Sequence, residues 1–178
     1  DKNVYILDSE GRIELATNPL NRYSTIRKDN LKQGMGPGCS FAKKIAQATG
    51  RKVLLVVNAR VGCLLNDWEK GNQAGFFEET VKRAHQAEAH GGKVKAVLWH
   101  HGEGDAQDTT YLRRLAGIVH ALRDELGDDR LPFIAGEHAQ WRGASKDFNN
   151  RLSDITEYIS NSSYVTAQDC SKLEDTKA

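Results

Sequence analysis

Residues 97–106 read Val-Leu-Trp-His-His-Gly-Glu-Gly-Asp-Ala, an apolar run that passes directly into two histidines, two glycines and two carboxylates. A buried strand whose carboxyl end opens into a site has this pattern. The strand holds the first reacting group rigid while the loop after it adapts, and open α/β sheets collect ligands at such edges. Strands are predicted at residues 4–7, 53–57, 94–99, 132–135 and 164–167. Of these, 53–57 and 94–99 are almost continuously apolar, which predicts cover on both faces. Helical patterns lie between them. Phe41, Ile45 and Ala48 share one face ahead of Gly50, and Phe76, Phe77, Val81, Ala84 and Ala87 define a second helix ending at Gly91-Gly92. Leu112, Leu115, Val119, Leu122 and Leu126 form the clearest stripe, stopped by Gly127, and a fourth helix is expected over 148–159 through Leu152, Ile155 and Ile159. This alternation predicts an α/β fold with a mostly parallel sheet, helices on both faces and right-handed crossovers. Residues 9–38 show little periodicity, and a segment of that length is either functional or wrapped over the surface.

A chain of 178 residues is expected to form one domain, 1–178, with a substantial core. Its 25 basic and 24 acidic residues leave a formal charge of +1, scattered without a basic run, so charge predicts neither nucleic acid nor a membrane as partner. No apolar stretch is long enough to cross a bilayer. Cys39, Cys63 and Cys170 are odd in number and show no CxxC spacing, which argues against a disulfide framework or a structural zinc site. No signal-peptide pattern is present; the cysteine usage leans towards a reducing compartment, and a cytoplasmic or a periplasmic/secreted setting stays open. Nothing in the sequence sets the oligomeric state.

On a strand continuing to residue 101, His101 shares a face with Trp99 while His100 points the other way. Gly102 and Gly104 permit a positive-φ turn that brings backbone close to a ligand. A metal reading would use His100, His101, Glu103 and Asp105, but adjacent strand histidines diverge and there is no HExxH spacing. A solvated loop is the plainer alternative, and an oxyanion-binding or catalytic loop the more specific one. Residues 56–63, Val-Val-Asn-Ala-Arg-Val-Gly-Cys, again run from a strand into a small-residue turn whose glycine can aim an N–H at an oxyanion; alone, they read as an ordinary βα turn. The glycine-rich stretch 34–42 lacks the Lys-Ser/Thr ending of a phosphate loop, and no strand precedes Ser40 as a nucleophile elbow requires, so Ser40 is expected to cap a helix. Glu137-His138, just after the fourth strand, is a candidate acid–base pair or a satisfied edge contact.

Taken together, Asn18-Pro-Leu-Asn-Arg-Tyr-Ser-Thr-Ile-Arg27, Gly36-Pro-Gly-Cys-Ser-Phe-Ala42, Val57-Asn-Ala-Arg60, Trp99-His-His-Gly-Glu103 with Asp105, and Phe133-Ile-Ala-Gly136 resemble the SGNH-type carbohydrate esterases of the sialate O-acetylesterase and acetylxylan esterase group. The resemblance implies a flavodoxin-like three-layer α/β/α sandwich. It also implies removal of O-acetyl groups from acetylated carbohydrate by a Ser-His pair, without metal or other cofactor. It places Gly62 and His101 as oxyanion donors, His101 standing where the family carries Gln; a neutral imidazole N–H can donate where an amide did. Glu103 and Asp105 would support the loop, and Arg60, Arg22 and His100 would contact substrate.

The family's Gly-Gln-Ser-Asn nucleophile motif does not occur in these residues, nor does its Asp-X-X-His motif, although Glu174-Asp175 falls near where the latter would begin. The expectation is therefore a domain incomplete at its first strand and belonging to a longer chain. Two other readings remain: an inactive relative that binds glycan or serves as scaffold, and a metal-dependent hydrolase.

Overall fold

The computed structural model describes residues 2–31, 34–140 and 145–170. It forms two compact units, residues 1–94 and 95–178.

The first unit contains β1 (Val4–Leu7), β2 (Ile13–Leu15), α1 (Gly38–Thr49), β3 (Val53–Leu55) and α2 (Phe76–Ala89), in a sheet of order β2-β1-β3. β1 and β3 are parallel, with Val4 opposite Val53, and β2 returns antiparallel along β1. Val4 packs with Ala42 and Ala46 of α1, and Ile6, one pleat further on, with Leu20, Tyr23 and Cys39. The buried face of α1 is thus Cys39, Ala42 and Ala46; the expected Phe41/Ile45/Ala48 face is wrong, and Ile45 is exposed. Small side chains won because they let the helix lie close against β1. Ser40 sits inside the first turn of α1, and Pro37 occupies the cap position assigned to Ser40 from sequence. Gly50 ends the helix in the left-handed region at φ +67°, as expected.

Part of the featureless 9–38 segment is ordered structure. β2 is short and wholly exposed, so it carried no burial signal, and a 3₁₀ turn at Leu20–Tyr23 buries both of its end residues. Asp8 organises the β1–β2 turn, accepting bonds from the Glu10 and Arg12 amides at 2.8 and 2.9 Å and from Arg12 Nε at 2.9 Å. α2 turns Arg83 inward, where it is almost completely buried and donates to the carbonyls of Leu7, Asp8 and Tyr23 at 2.9, 3.0 and 3.3 Å.

The second unit contains β4 (Val97–Trp99), α3 (Tyr111–Leu126), β5 (Phe133–Gly136), α4 (Ser145–Leu152), α5 (Ile155–Tyr158) and β6 (Ser162–Val165). Its sheet, β4-β5-β6, is parallel throughout, with Trp99 opposite Ala135 and Ala135 opposite Tyr164. Each of the five predicted strands is present within a few residues of its expected place, but β3 and β4 are shorter than expected. Full cover is corrected too: β3 is only partly buried, and Leu98 of β4 is exposed. The α3 stripe buries Leu112, Leu115, Val119 and Leu122 as predicted, while Leu126 is only partly buried. The expected single helix over 148–159 is broken at Ser153 and Asp154 into α4 and α5, which lets both Leu152 and Ile155 turn inward.

α3 ends at Gly127, φ +65°, with open space where a Cβ would stand. Gly127→Ala is therefore expected to cost about 1 kcal/mol from backbone strain alone. Urea unfolding checks this, and an unchanged midpoint would contradict the left-handed cap.

Candidate active site

In the first unit, β3 runs out into the segment that ends at Gly62. Ser24, fully buried, braces it: the Ser24 hydroxyl donates to the Ala59 carbonyl and accepts from the Ala59 amide, both at 2.9 Å. Arg60 reinforces this join by donating to the Ile26 carbonyl at 2.9 Å, its guanidinium 5.6 Å from the Phe76 ring centre. Two stretches singled out in the sequence, 18–27 and 57–60, are thus bonded to each other. Between them, Asn58 Oδ1 is shielded from solvent and has no hydrogen-bond donor among the described residues.

Gly62 adopts φ +69°, with Lys28 Nζ 3.6 Å from where its Cβ would be. That left-handed turn is what a glycine is needed for. Cys63 follows, its thiol donating to the Arg60 carbonyl at 3.1 Å and accepting from Trp68 Nε1 at 3.3 Å. Burial pushes the thiol pKa up, so Cys63 is a neutral packing group and not an activated nucleophile. Arg22 is exposed and folds back on Thr17 and the Tyr23 hydroxyl at 2.5 and 2.6 Å.

The second unit gathers the richer constellation. β4 stops at Trp99, yet the expected alternation persists: His101 is buried with its ring 5.3 Å from that of Trp99, while His100 is exposed. His100 reaches the Glu137 carbonyl at 3.3 Å. Gly136 makes room for it, since a Cβ there would come within 3.0 Å of His100 Cδ2. On the other side, the Tyr111 hydroxyl at the start of α3 accepts from Trp99 Nε1 at 3.0 Å. It donates to the His101 carbonyl at 3.1 Å and lies 3.2 Å from His101 Nδ1. His138 Nε2 donates to the same carbonyl at 3.2 Å and stands 3.8 Å from Glu103 Oε2.

The loop rests on an aromatic stack. The His138 ring lies parallel to Phe148 at 4.1 Å, and Phe148 meets Tyr111 edge-on at 5.0 Å. Asn149 fixes His138 from behind, accepting from its amide at 2.9 Å and donating to its carbonyl at 3.0 Å. Gly102, φ +125°, lies against the far end of the Phe148 ring, where a Cβ would come within 2.4 Å of Cζ. The positive φ expected there is present, but the backbone approaches a side chain of the protein where a ligand was expected.

Of the two readings of Glu137-His138, a satisfied edge contact is the one that Glu137 shows. The carboxylate beside His138 is Glu103, whereas Glu137 Oε2 is held by Thr166, Ala167 and Gln140 at 2.9–3.0 Å. Neighbours on an extended chain point apart, so the partner comes from the β4 loop. Among the described residues, no group of three or more His, Cys, Asp or Glu side chains converges as a metal would require. Asp105 lies in the loop, its amide donating to the Gly102 carbonyl and its carbonyl accepting from the Asp108 amide. Glu174-Asp175 lies outside the described residues.

Sequence reasoning missed Tyr111, Phe148 and Asn149. Each precedes or belongs to an ordinary helical stripe, and no spacing marks a hydroxyl aimed at a strand end. It missed Asp108 too, which accepts from the Thr110 amide and hydroxyl at 2.7 Å and from Arg114 at 2.9 Å, ordering the entry into α3. The Thr110 hydroxyl bond leads the effects that lower its pKa. Because the folded value lies below the unfolded one, Asp108 adds stability above the ordinary aspartate range near pH ~3.9 and loses it as pH falls through the folded value. Asp108→Asn should flatten that acid limb of the stability curve, measured by urea unfolding from pH 6 downwards. An identical acid limb in the variant would contradict the assignment.

The profile of a family described as carbohydrate esterase, sialic acid-specific acetylesterase, matches residues 1–177. A probable carbohydrate esterase of Arabidopsis thaliana is 32% identical over 108 residues, covering 57% of this chain and 41% of that protein. The chain thus spans less than half the length of this curated relative. The solved structure of an Arabidopsis thaliana protein superposes with a TM-score of 0.86 at 27% identity, over 98% of this chain and 72% of the other. A carbohydrate acetylesterase from Xanthomonas citri superposes with a TM-score of 0.62 at 18% identity, over 92% of this chain and 41% of that one, a likeness of fold. These likenesses bear out the expected α/β fold with its mostly parallel strands.

Proposed function

The chain belongs to the carbohydrate esterase family described as sialic acid-specific acetylesterase, and from that membership we propose that it serves to remove O-acetyl groups from carbohydrate by serine-type acyl-enzyme chemistry. The observation that carries this reading is the extent of the family match, residues 1–177, which includes both strand-end segments described above. The serine and its base are proposed to lie outside these residues, since neither family motif occurs in them.

For the first unit, we assign Gly62 the donor role, its backbone N–H presented from a left-handed turn in the segment after β3. Arg60 and Arg22 are proposed to meet sugar hydroxyls or carboxylates at guanidinium positions not used in their internal bonds. For the second unit, we assign His101 the role of the family amide, with its ring held by Tyr111 and Trp99. Glu103 and Asp105 support its loop, and exposed His100 contacts substrate.

The test is acetate release from an O-acetylated sugar by the full-length protein. We expect release that a serine-directed phosphonate abolishes and a chelator leaves intact. Release abolished by the chelator and indifferent to the phosphonate would overturn the serine reading. Sugar binding without release would support an inactive relative.

A further inference from the structure

In the first unit, residues 24–28 and 59–62 are laced together in the same order along both segments. Ser24 exchanges two hydrogen bonds with the Ala59 backbone at 2.9 Å, and the Ile26 carbonyl accepts from Arg60 at 2.9 Å. The next step brings Lys28 Nζ to 3.6 Å from the point where a Gly62 Cβ would stand. Arg27 fixes the turn that carries Lys28, donating to the Ser24 carbonyl at 2.9 Å and pairing with Asp29 at 3.1 Å. Lys28 is half-buried, whereas Gly62 is exposed. A Cβ lies two bonds from the amide nitrogen of its own residue, so the ammonium is within ~6 Å of the Gly62 nitrogen. Lys28 therefore reaches Gly62 as the last rung of a built contact.

We infer that Lys28 supplies a fixed positive charge to the oxyanion site at Gly62, adding Coulombic stabilisation to the hydrogen bond from the Gly62 N–H. This role rests on the donor function proposed for Gly62 above. A glycine amide offers a donor but no net charge. An ammonium already in place beside it makes the local potential positive before the acyl group arrives, at no cost of reorganisation during reaction. The role asks charge of Lys28 and no vacant hydrogen bond, and Lys28 makes further contacts in the protein. Around the same turn, Arg60 adds to the positive field and Asp67 opposes it, its carboxylate accepting from the Leu64 amide at 2.9 Å. What reaches Gly62 is the net field, which substitution of Lys28 measures. A carboxylate on the substrate is the other anion that such a charge attracts, and the choice of sugar separates the two.

Hydroxide is a probe anion that needs no substrate. Exchange of an exposed amide near neutral pH is catalysed by hydroxide, so its rate reports the local potential. In NMR of the full-length protein at low salt, Lys28→Met should slow exchange of the Gly62 amide about threefold, the effect of one charge ~6 Å away in water. Lys28→Arg should stay near wild type, and added salt should erase the difference. An unchanged rate in folded Lys28→Met, or a slowing that salt leaves intact, overturns the inference. If the methionine variant fails to fold, the wild-type rate decides: it should fall as salt is added, and a constant rate contradicts the role. In acetate release from an uncharged O-acetylated sugar, Lys28→Met should lower kcat about tenfold with KM nearly unchanged, less than the loss of a direct donor, and arginine should restore most of it. A loss confined to KM, and seen only with a sugar that carries a carboxylate, would make Lys28 a reader of that carboxylate and overturn the oxyanion role. Absence of any release by wild type would sink the proposed function, while exchange at Gly62 still judges the charge.

Discussion

Gly102→Ala is expected to lower stability by about 2–6 kcal/mol, the sum of an overpacking cost and backbone strain of ~1–3 kcal/mol each. The new Cβ would stand 2.4 and 2.6 Å from two Phe148 ring carbons, and φ at this position is +125°. Phe148 has no room to yield, because it is 1% exposed, stacked on His138 and butted against Tyr111. Displacing it would also spoil the geometry that places His101. Urea unfolding measures the loss, and a double-mutant cycle with Phe148→Ala separates its two parts. Removing the ring should recover the overpacking share and leave the strain. A Gly102→Ala loss below 1 kcal/mol would contradict this packing of the loop.

Arg83→Ala carries the second large effect, about 3 kcal/mol, in the other unit. Burial lowers the guanidinium pKa, the signature of a charge that is costly to hold inside. Three carbonyl bonds offset that cost, tying α2 to the end of β1 and to Tyr23. Alanine leaves three carbonyls without their donor and opens a cavity the size of the side chain. Arg83→Met fills most of the volume and should recover only the cavity share. If methionine matched wild type, the hydrogen bonds would contribute nothing and this reading would fail.

What the sequence discloses and what it conceals divide along physical lines. The β4 end was legible because an apolar run meeting His-His-Gly-Glu is a sharp change of solvent preference, and the α3 stripe because five leucine and valine positions recur at helical spacing. The α1 face was misread because Ala42 and Ala46 carry weak hydrophobic signals, although closeness to β1 made them the buried side. β2 escaped because an exposed three-residue strand is recognisable only through its partner. In the candidate site, His101 was found from position, whereas Tyr111, Phe148 and Asn149 were not, since their contacts span ten residues or more of chain. Glu103 as the carboxylate beside His138 was hidden for the same reason: sequence adjacency offers only Glu137, which the fold holds in an edge contact.

The central claim is that the loop after β4 serves acetyl-ester hydrolysis through His101. The most direct measurement is acetate release by the full-length protein at mildly acidic pH, comparing wild type, His101→Ala and His101→Gln. Removal of an oxyanion donor should lower kcat by about 10²–10³, and the glutamine amide should restore most of it. Equal release by wild type and His101→Ala, or loss in His101→Ala that glutamine fails to restore, would contradict the account.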